Sequence, residues 1–150
     1  MPRFARSIEI AAPIERVFDF HLDPRNIIQI APPANRPEVL SCSRSPLQVG
    51  CRVVVRSVQA GIQVRMEAEV AILDPPFVMQ DRQIHGPFHH WVHTHRFERV
   101  SGGTRLTDDI DYSLPLGLGR LMSRLIRREL ETTFTFRQEA TRRILENDLP

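Results

Sequence analysis

The stretch "FHHWVHTHRF" at residues 88–97 gathers four of the six histidines of a 150-residue chain, and its one tryptophan, into ten positions. Histidine titrates near neutrality and is the commonest metal-ligating side chain, so such a cluster can move protons, hold an ion or line a polar pocket. Side chains alternate across a strand, which sorts the stretch: Trp91, His93, His95 and Phe97 share one face, His90, Val92, Thr94 and Arg96 the other. The next segment, "TRLTDDIDYSL", divides into Leu106, Asp108, Ile110, Tyr112 and Leu114 against Arg105, Thr107, Asp109, Asp111 and Ser113. A two-residue turn within "SGG" pairs odd numbers with even ones, which sets Trp91, His93, His95 and Phe97 beside Asp108, Ile110 and Tyr112. That face is mostly aromatic and apolar and is expected to point inward. The opposite face, with Arg96, Arg99, Arg105, Asp109 and Asp111, suits water.

A carboxylate buried beside an imidazole raises the histidine pKa and selects one tautomer. His95, His93 and Asp108 are therefore the candidate catalytic residues, as a general acid or base acting on a ligand carbonyl. The same three can hold the polar end of a ligand, or form a satisfied network that fixes the sheet. Two histidines at i and i+2 with Asp108 also permit a 2-His-1-carboxylate metal set, but the spacing is not specific, and neither a metal nor another cofactor is expected. Asp81 and Gln83, in "QDRQIHGPF", are the next candidates, provided that Phe77 and Met79 of the same parity face inward. His89 and His90, beside the "GP" turn, are expected to be exposed.

The elements that must position these side chains follow from periodicity. "RFARSIEI" alternates and reads as a strand. In "APIERVFDFHL", Pro13 suits a first helical turn, Glu15 suits the helix dipole, and Ile14, Val17, Phe18 and His21 or Leu22 have helical spacing. Asp23 and Pro24 break this helix, and "RNIIQIAPP" makes a second short one before a double proline. From Glu38 to Leu114 strands alternate with turn chemistry in "SPLQVG", "AG", "DPP", "HGP" and "SGG", a pattern of six antiparallel strands after the first. In "IQVRMEAEVAI", Ile62, Val64, Met66, Ala68, Val70 and Ile72 form a dry face. After Pro115 the period lengthens to about 3.6, and Leu118, Leu121, Leu125, Thr132 or Thr133, Phe136, Ala140 and Ile144 predict one amphipathic helix of about 25 to 30 residues. Its stripe is expected to cover the dry face of the sheet.

Hydrophobic residues make up 41% and charged residues 25%, ordinary values for a globular chain, and no segment reaches the roughly 18 consecutive apolar residues of a membrane span. The length suits a single domain over residues 1–150. The N-terminus carries no apolar run of the signal-peptide kind, so a cytoplasmic protein is expected, with Cys42 and Cys51 as reduced thiols. The net charge of +2 is too small to argue for nucleic acid. Every basic residue is arginine, and the densest group, Arg120, Arg124, Arg127 and Arg128, lies on the predicted long helix, as a solvated face or a dock for an anionic partner. There is no Gly-rich phosphate loop, Cys-x-x-Cys pair or G-x-S-x-G elbow to support nucleotide use, structural zinc or serine hydrolysis.

The order strand, two short helices, meander, long helix resembles the helix-grip fold of the START-like superfamily. "IEIAAPIERVFDFHLDPRNIIQIAPP" and "GPFHHWVHTHRFERVSGGTRLTDDIDYSLPLG" look like the N-terminal signature and last hairpin of its bacterial SRPBCC members, which include polyketide cyclase/dehydrase-like proteins. The resemblance implies an α+β fold, a curved antiparallel sheet wrapped around the C-terminal helix, with a cavity for a small hydrophobic or aromatic molecule. Members generally use no metal to bind such ligands. Trp91, Phe97, Ile110, Tyr112, Met66 and Phe136 are then expected to supply apolar surface, and His93, His95 and Asp108 to orient a polar end, with Asp81 and Gln83 as further polar contacts. The chain is expected to be a monomer or weak homodimer that binds a ligand without turning it over. The alternatives are a cyclase or dehydratase with His95 or His93 as base, and a protein-interaction module docking through the helix arginines.

Overall fold

The computed structural model describes residues 2–147. Strand β1 (Arg3–Ile10) leads into α1 (Ile14–His21), α2 (Asn26–Ile30) and a short 3-10 turn at Pro33–Asn35. Strands β2 (Glu38–Cys42), β3 (Arg52–Gln59), β4 (Ile62–Asp74), β5 (Val78–His85), β6 (His90–Val100) and β7 (Gly103–Ser113) follow, and α3 (Arg120–Asn147) ends the described chain. All seven strands join one antiparallel sheet in the order β1-β7-β6-β5-β4-β3-β2. The first strand therefore closes against the last. No helix among the described residues is long and apolar enough to cross a membrane.

Helix α1 begins after Pro13, whose extended backbone (φ −61°, ψ 146°) caps it, with Glu15 in the first turn and Ile14, Val17 and Phe18 buried. These residues pack with Ile8, Ile10, Phe97, Leu106 and Leu145 in the larger core cluster. A second cluster, Phe4, Ile110, Tyr112, Leu130 and Phe134, joins β1 and β7 to α3. Gly103 is required by the close approach of β7 to the end of β1: a Cβ there would lie 2.1 Å from the Ile10 carbonyl oxygen.

Three expectations need correction. The buried residues of α3 are Leu130, Phe134, Gln138, Ala140, Thr141 and Leu145, so of the expected stripe Ala140 is buried, whereas Leu118, Leu121, Leu125 and Phe136 are exposed. Two of the buried side chains are polar, so a phase read from hydrophobicity selects the wrong side. In β4 the register shifts between Val70 and Ile72, so Leu73 turns inward and Ile72 turns out. On the back of the sheet Thr94 and Asp109 are buried, not wet: Thr94 accepts a hydrogen bond from Gln80 at 3.0 Å, and Arg3 Nε donates to Asp109 at 2.8 Å.

Candidate functional site

The β6–β7 ladder pairs His95 with Asp108, His93 with Ile110, and Trp91 with Tyr112, as turn geometry requires. On the other side β5 sets Asp81 opposite His93 and Met79 opposite His95. Two histidines are thus held between carboxylates from both neighbouring strands. His93, His95 and Asp108 are all buried, and Asp81 keeps 21% of its side chain exposed, so it marks the open side.

Asp108 is the hub. His93 Nε2 lies 2.8 Å from Asp108 Oδ1 in good hydrogen-bond geometry, and His95 Nδ1 lies 3.0 Å from the same oxygen but out of line for a hydrogen bond. Gln138 Nε2 donates to the other Asp108 oxygen at 2.8 Å and to the Arg6 carbonyl at 2.9 Å, which fixes the carboxylate to α3 and β1. The remaining ring nitrogens, His93 Nδ1 and His95 Nε2, approach Asp81 Oδ2 at 3.9 and 3.6 Å, too far for direct hydrogen bonds. Donor atoms of Asp81, His93 and His95 all lie within 4.8 Å of one another. This is the set with metal-ligand spacing, with Asp81 in the place that the sequence suggests for Asp108.

Protons distribute unevenly over this cluster. Burial opposes a charge on His95, but the Asp108 and Asp81 carboxylates outweigh it and push its pKa up to about 9. Burial and the His95 charge together push His93 down, against the pull of Asp108. Burial would raise both carboxylates, yet the imidazoles overrule it, holding Asp108 well below the ordinary carboxylate range and Asp81 below it too. One histidine is a cation and its neighbour, with ring centroids 3.9 Å away, is neutral.

Two aromatic walls enclose the pair. Phe134 meets His93 edge-on at 5.2 Å, beside Trp91, Phe88 and Tyr112. On the other side Phe97 stacks on His95 at 6.5 Å and packs against Phe18. The half-buried Met66 pairs with Val55 across β3 and β4.

Residues 10–140 match the family model described as polyketide cyclase / dehydrase and lipid transport. The chain belongs to that family. No curated protein matches it. Among solved structures it is similar to protein CV1439 from Chromobacterium violaceum, with a TM-score of 0.77 at 15% identity over 97% of this chain and 98% of that one. A START superfamily protein from Mycobacterium smegmatis gives 0.76 at 14% identity, covering 97% of each chain, and TTHA0849 from Thermus thermophilus gives 0.70 at 20% identity over 93% and 97%. At such identities the likeness establishes the START-like helix-grip fold alone.

For this family member, the structure brings Trp91, His93, His95, Phe97, Asp108, Ile110, Tyr112 and Asp81 to one region and leaves three candidates outside it, Met66 on β4 opposite Val55, Gln83 and Phe136. Gln83 is occupied with the turn before β6, donating to the Phe88 carbonyl at 2.8 Å and accepting from the Phe88 N–H at 3.2 Å. Phe136 lines an open groove of about 640 Å³ between Pro32 and α3, on another side of the helix from Phe134. Phe77 is exposed beneath the Arg99 guanidinium rather than inward. His89 is exposed and His90 half-buried.

Sequence reasoning missed three members of the cluster. His21 Nδ1 lies 2.8 Å from the Val17 carbonyl, so this nitrogen donates, and burial together with the His95 charge pushes the ring down to about 3. Its ring is 5.2 Å from that of His95; the signal was a histidine on the apolar face of α1. Arg137 stacks on Phe134 at 4.8 Å, and burial lowers its pKa against the pull of Asp108 and Asp81. Arg137 and Gln138 carried no signal, because the packing phase of α3 was hidden.

Proposed function

We propose that this protein binds a small hydrophobic or aromatic molecule whose polar end enters the cluster from the Asp81 side. The observation that carries this reading is the gap between Asp81 Oδ2 and the two ring nitrogens at 3.9 and 3.6 Å. His93 and His95 are buried, and polar groups of buried side chains are normally satisfied at shorter range. A ligand hydroxyl or carbonyl oxygen placed there accepts from protonated His95, and a hydroxyl donates to Asp81 or to neutral His93. Half-buried Trp91, backed by the buried Tyr112 and Phe134, offers apolar surface next to that point. Native mass spectrometry of freshly purified protein, set against the denatured mass, tests this directly: a co-purified organic mass supports the reading. The dye fluorescence of anilinonaphthalene sulfonate during titration gives the second measure. Binding that is equal in the wild type and in Trp91→Ala and His95→Gln variants refutes it.

A cyclase or dehydratase reading has one observation of its own. His93 is neutral, and Asp108 orients it through Nε2, leaving Nδ1 free to take a proton, while adjacent His95 is charged and able to give one. Paired groups with pKa values pushed apart are the arrangement of acid–base catalysis. Turnover of a polyketide-like substrate that disappears in His93→Gln, with affinity retained, selects the enzyme. Equal loss of affinity without turnover in either protein selects the carrier.

A further inference from the structure

The start of α3 and the loop before it present a surface that the fold does not use. Residues 116–128, "LGLGRLMSRLIRR", contain four arginines and no acidic residue. Leu116 is fully exposed, Leu121 is 73% exposed, and Leu118, Met122 and Leu125 are exposed as well. On the helix, Leu121, Met122 and Leu125 lie at i, i+1 and i+4 and form one stripe, while Ile126 and Leu130 turn to the core beside Phe4 and Phe134. Arg124 and Arg128 follow at i+3 and i+7 from Leu121, along the edge of that stripe. Among the described residues Arg120, Arg124 and Arg128 make no ion pair; Arg127 pairs with Glu131 at 3.6 Å. Solvent-facing apolar stripes bordered by unpaired arginine are the pattern of helices that lie in a membrane interface.

We propose that the 116–128 segment docks on an anionic phospholipid bilayer, its leucines entering the acyl boundary and Arg120, Arg124 and Arg128 meeting the phosphates. Charge decides between the candidate occupants. A second copy placed on this face by a two-fold axis would oppose arginine to arginine with no acid in the segment to compensate. A globular partner is anchored by side chains seated in pockets, and neither the groove lined by Pro32, Phe136 and Arg143 nor the one between Pro13 and Gly103 includes any residue of this segment. A bilayer needs only aliphatic area and positive charge, which are what the segment offers. This inference does not depend on the ligand reading.

Co-sedimentation of the full chain with extruded vesicles is the test. Binding is expected with vesicles of phosphatidylcholine and phosphatidylglycerol, little or none with phosphatidylcholine alone, and weakening as salt rises. Arg124→Gln with Arg128→Gln should lower partitioning about 25-fold, at roughly fivefold for each arginine near an anionic surface. Leu121→Asp with Leu125→Asp should abolish binding, and circular dichroism melts should match the wild type because both side chains are exposed. No sedimentation with anionic vesicles overturns the proposal, as does sedimentation that both double variants leave unchanged. A wild-type dimer that Leu121→Asp with Leu125→Asp converts to monomer in light scattering also overturns it, by assigning the stripe to a second copy.

Discussion

Titrating the buried cluster should give the protein a stability maximum near pH 6.5, with losses on both sides. Facing His95 are Asp108 from β7, Asp81 from β5, His93 on its own strand and His21 from α1, while Arg137 from α3 acts on the same two carboxylates. Folding raises the His95 pKa from 6.5 to about 9, so between these values the native state holds a proton that the unfolded state has released. Stability from this group is complete below pH 6.5 and is lost as pH rises through 9, an upper limit of about 3 kcal/mol at ~1.36 kcal/mol per unit. His21 behaves oppositely: its folded pKa falls from 6.5 to about 3, so below pH 6.5 the unfolded state takes up a proton that the native state refuses. His21 alone removes about 2 kcal/mol by pH 5, and His93, also lowered, adds to that limb. Urea unfolding at intervals from pH 5 to pH 9, with the imidazole resonances of His95 followed by NMR over the same range, measures both limbs. Removing His95 alone also frees His93 from the charge that holds it down, so the double variant His93→Gln with His95→Gln is the one that should flatten the alkaline limb while keeping the His21 part of the acid one. A wild-type stability constant between pH 6.5 and 9, or an alkaline loss that survives in the double variant His93→Gln with His95→Gln, would refute the charge assignment.

Four further outcomes follow from the packing. Gln138→Leu keeps the shape but takes the Gln138 donor from an Asp108 oxygen and from the Arg6 carbonyl; at about 1–3 kcal/mol for each buried group left unsatisfied, urea unfolding should show a loss of about 2–6 kcal/mol. Gly103→Ala forces a Cβ against the Ile10 carbonyl, and a loss of about 1–3 kcal/mol is expected in thermal melts; an unchanged Tm would contradict the close approach of β7 to β1. Phe134→Ala removes the ring that closes the second core cluster and flanks His93, so it should cost about 3–5 kcal/mol. Phe136→Ala, at an exposed site on the same helix, should stay within about 0.5 kcal/mol of wild type in the same experiment.

Local sequence determined the elements and much of the site. Alternation in "WVHTHRF" and "RLTDDIDY", together with a two-residue turn, was enough to set His95 against Asp108 and Trp91 against Tyr112, because strand parity and turn length leave one register. Pro13 and Glu15 at the head of α1, and the prolines after α2, bounded those helices by dihedral restriction and dipole alone. Tertiary structure decided what sequence-distant elements bring to the cluster. Asp81 faces both histidines because β5 adds to the other edge of β6, a pairing across a turn that periodicity does not define. The core face of α3 includes Gln138, whose Nε2 donates to Asp108 and to the Arg6 carbonyl, and Thr141, whose hydroxyl donates to the Arg137 carbonyl, and hydrophobic periodicity cannot register a polar residue whose partner is elsewhere in the fold. The leucines at 118, 121 and 125 were apolar in sequence but not buried in structure. Periodicity reports that a helix has an apolar stripe; only the docking of α3 on β1 and α2 decides which stripe meets the core and which is left facing outward.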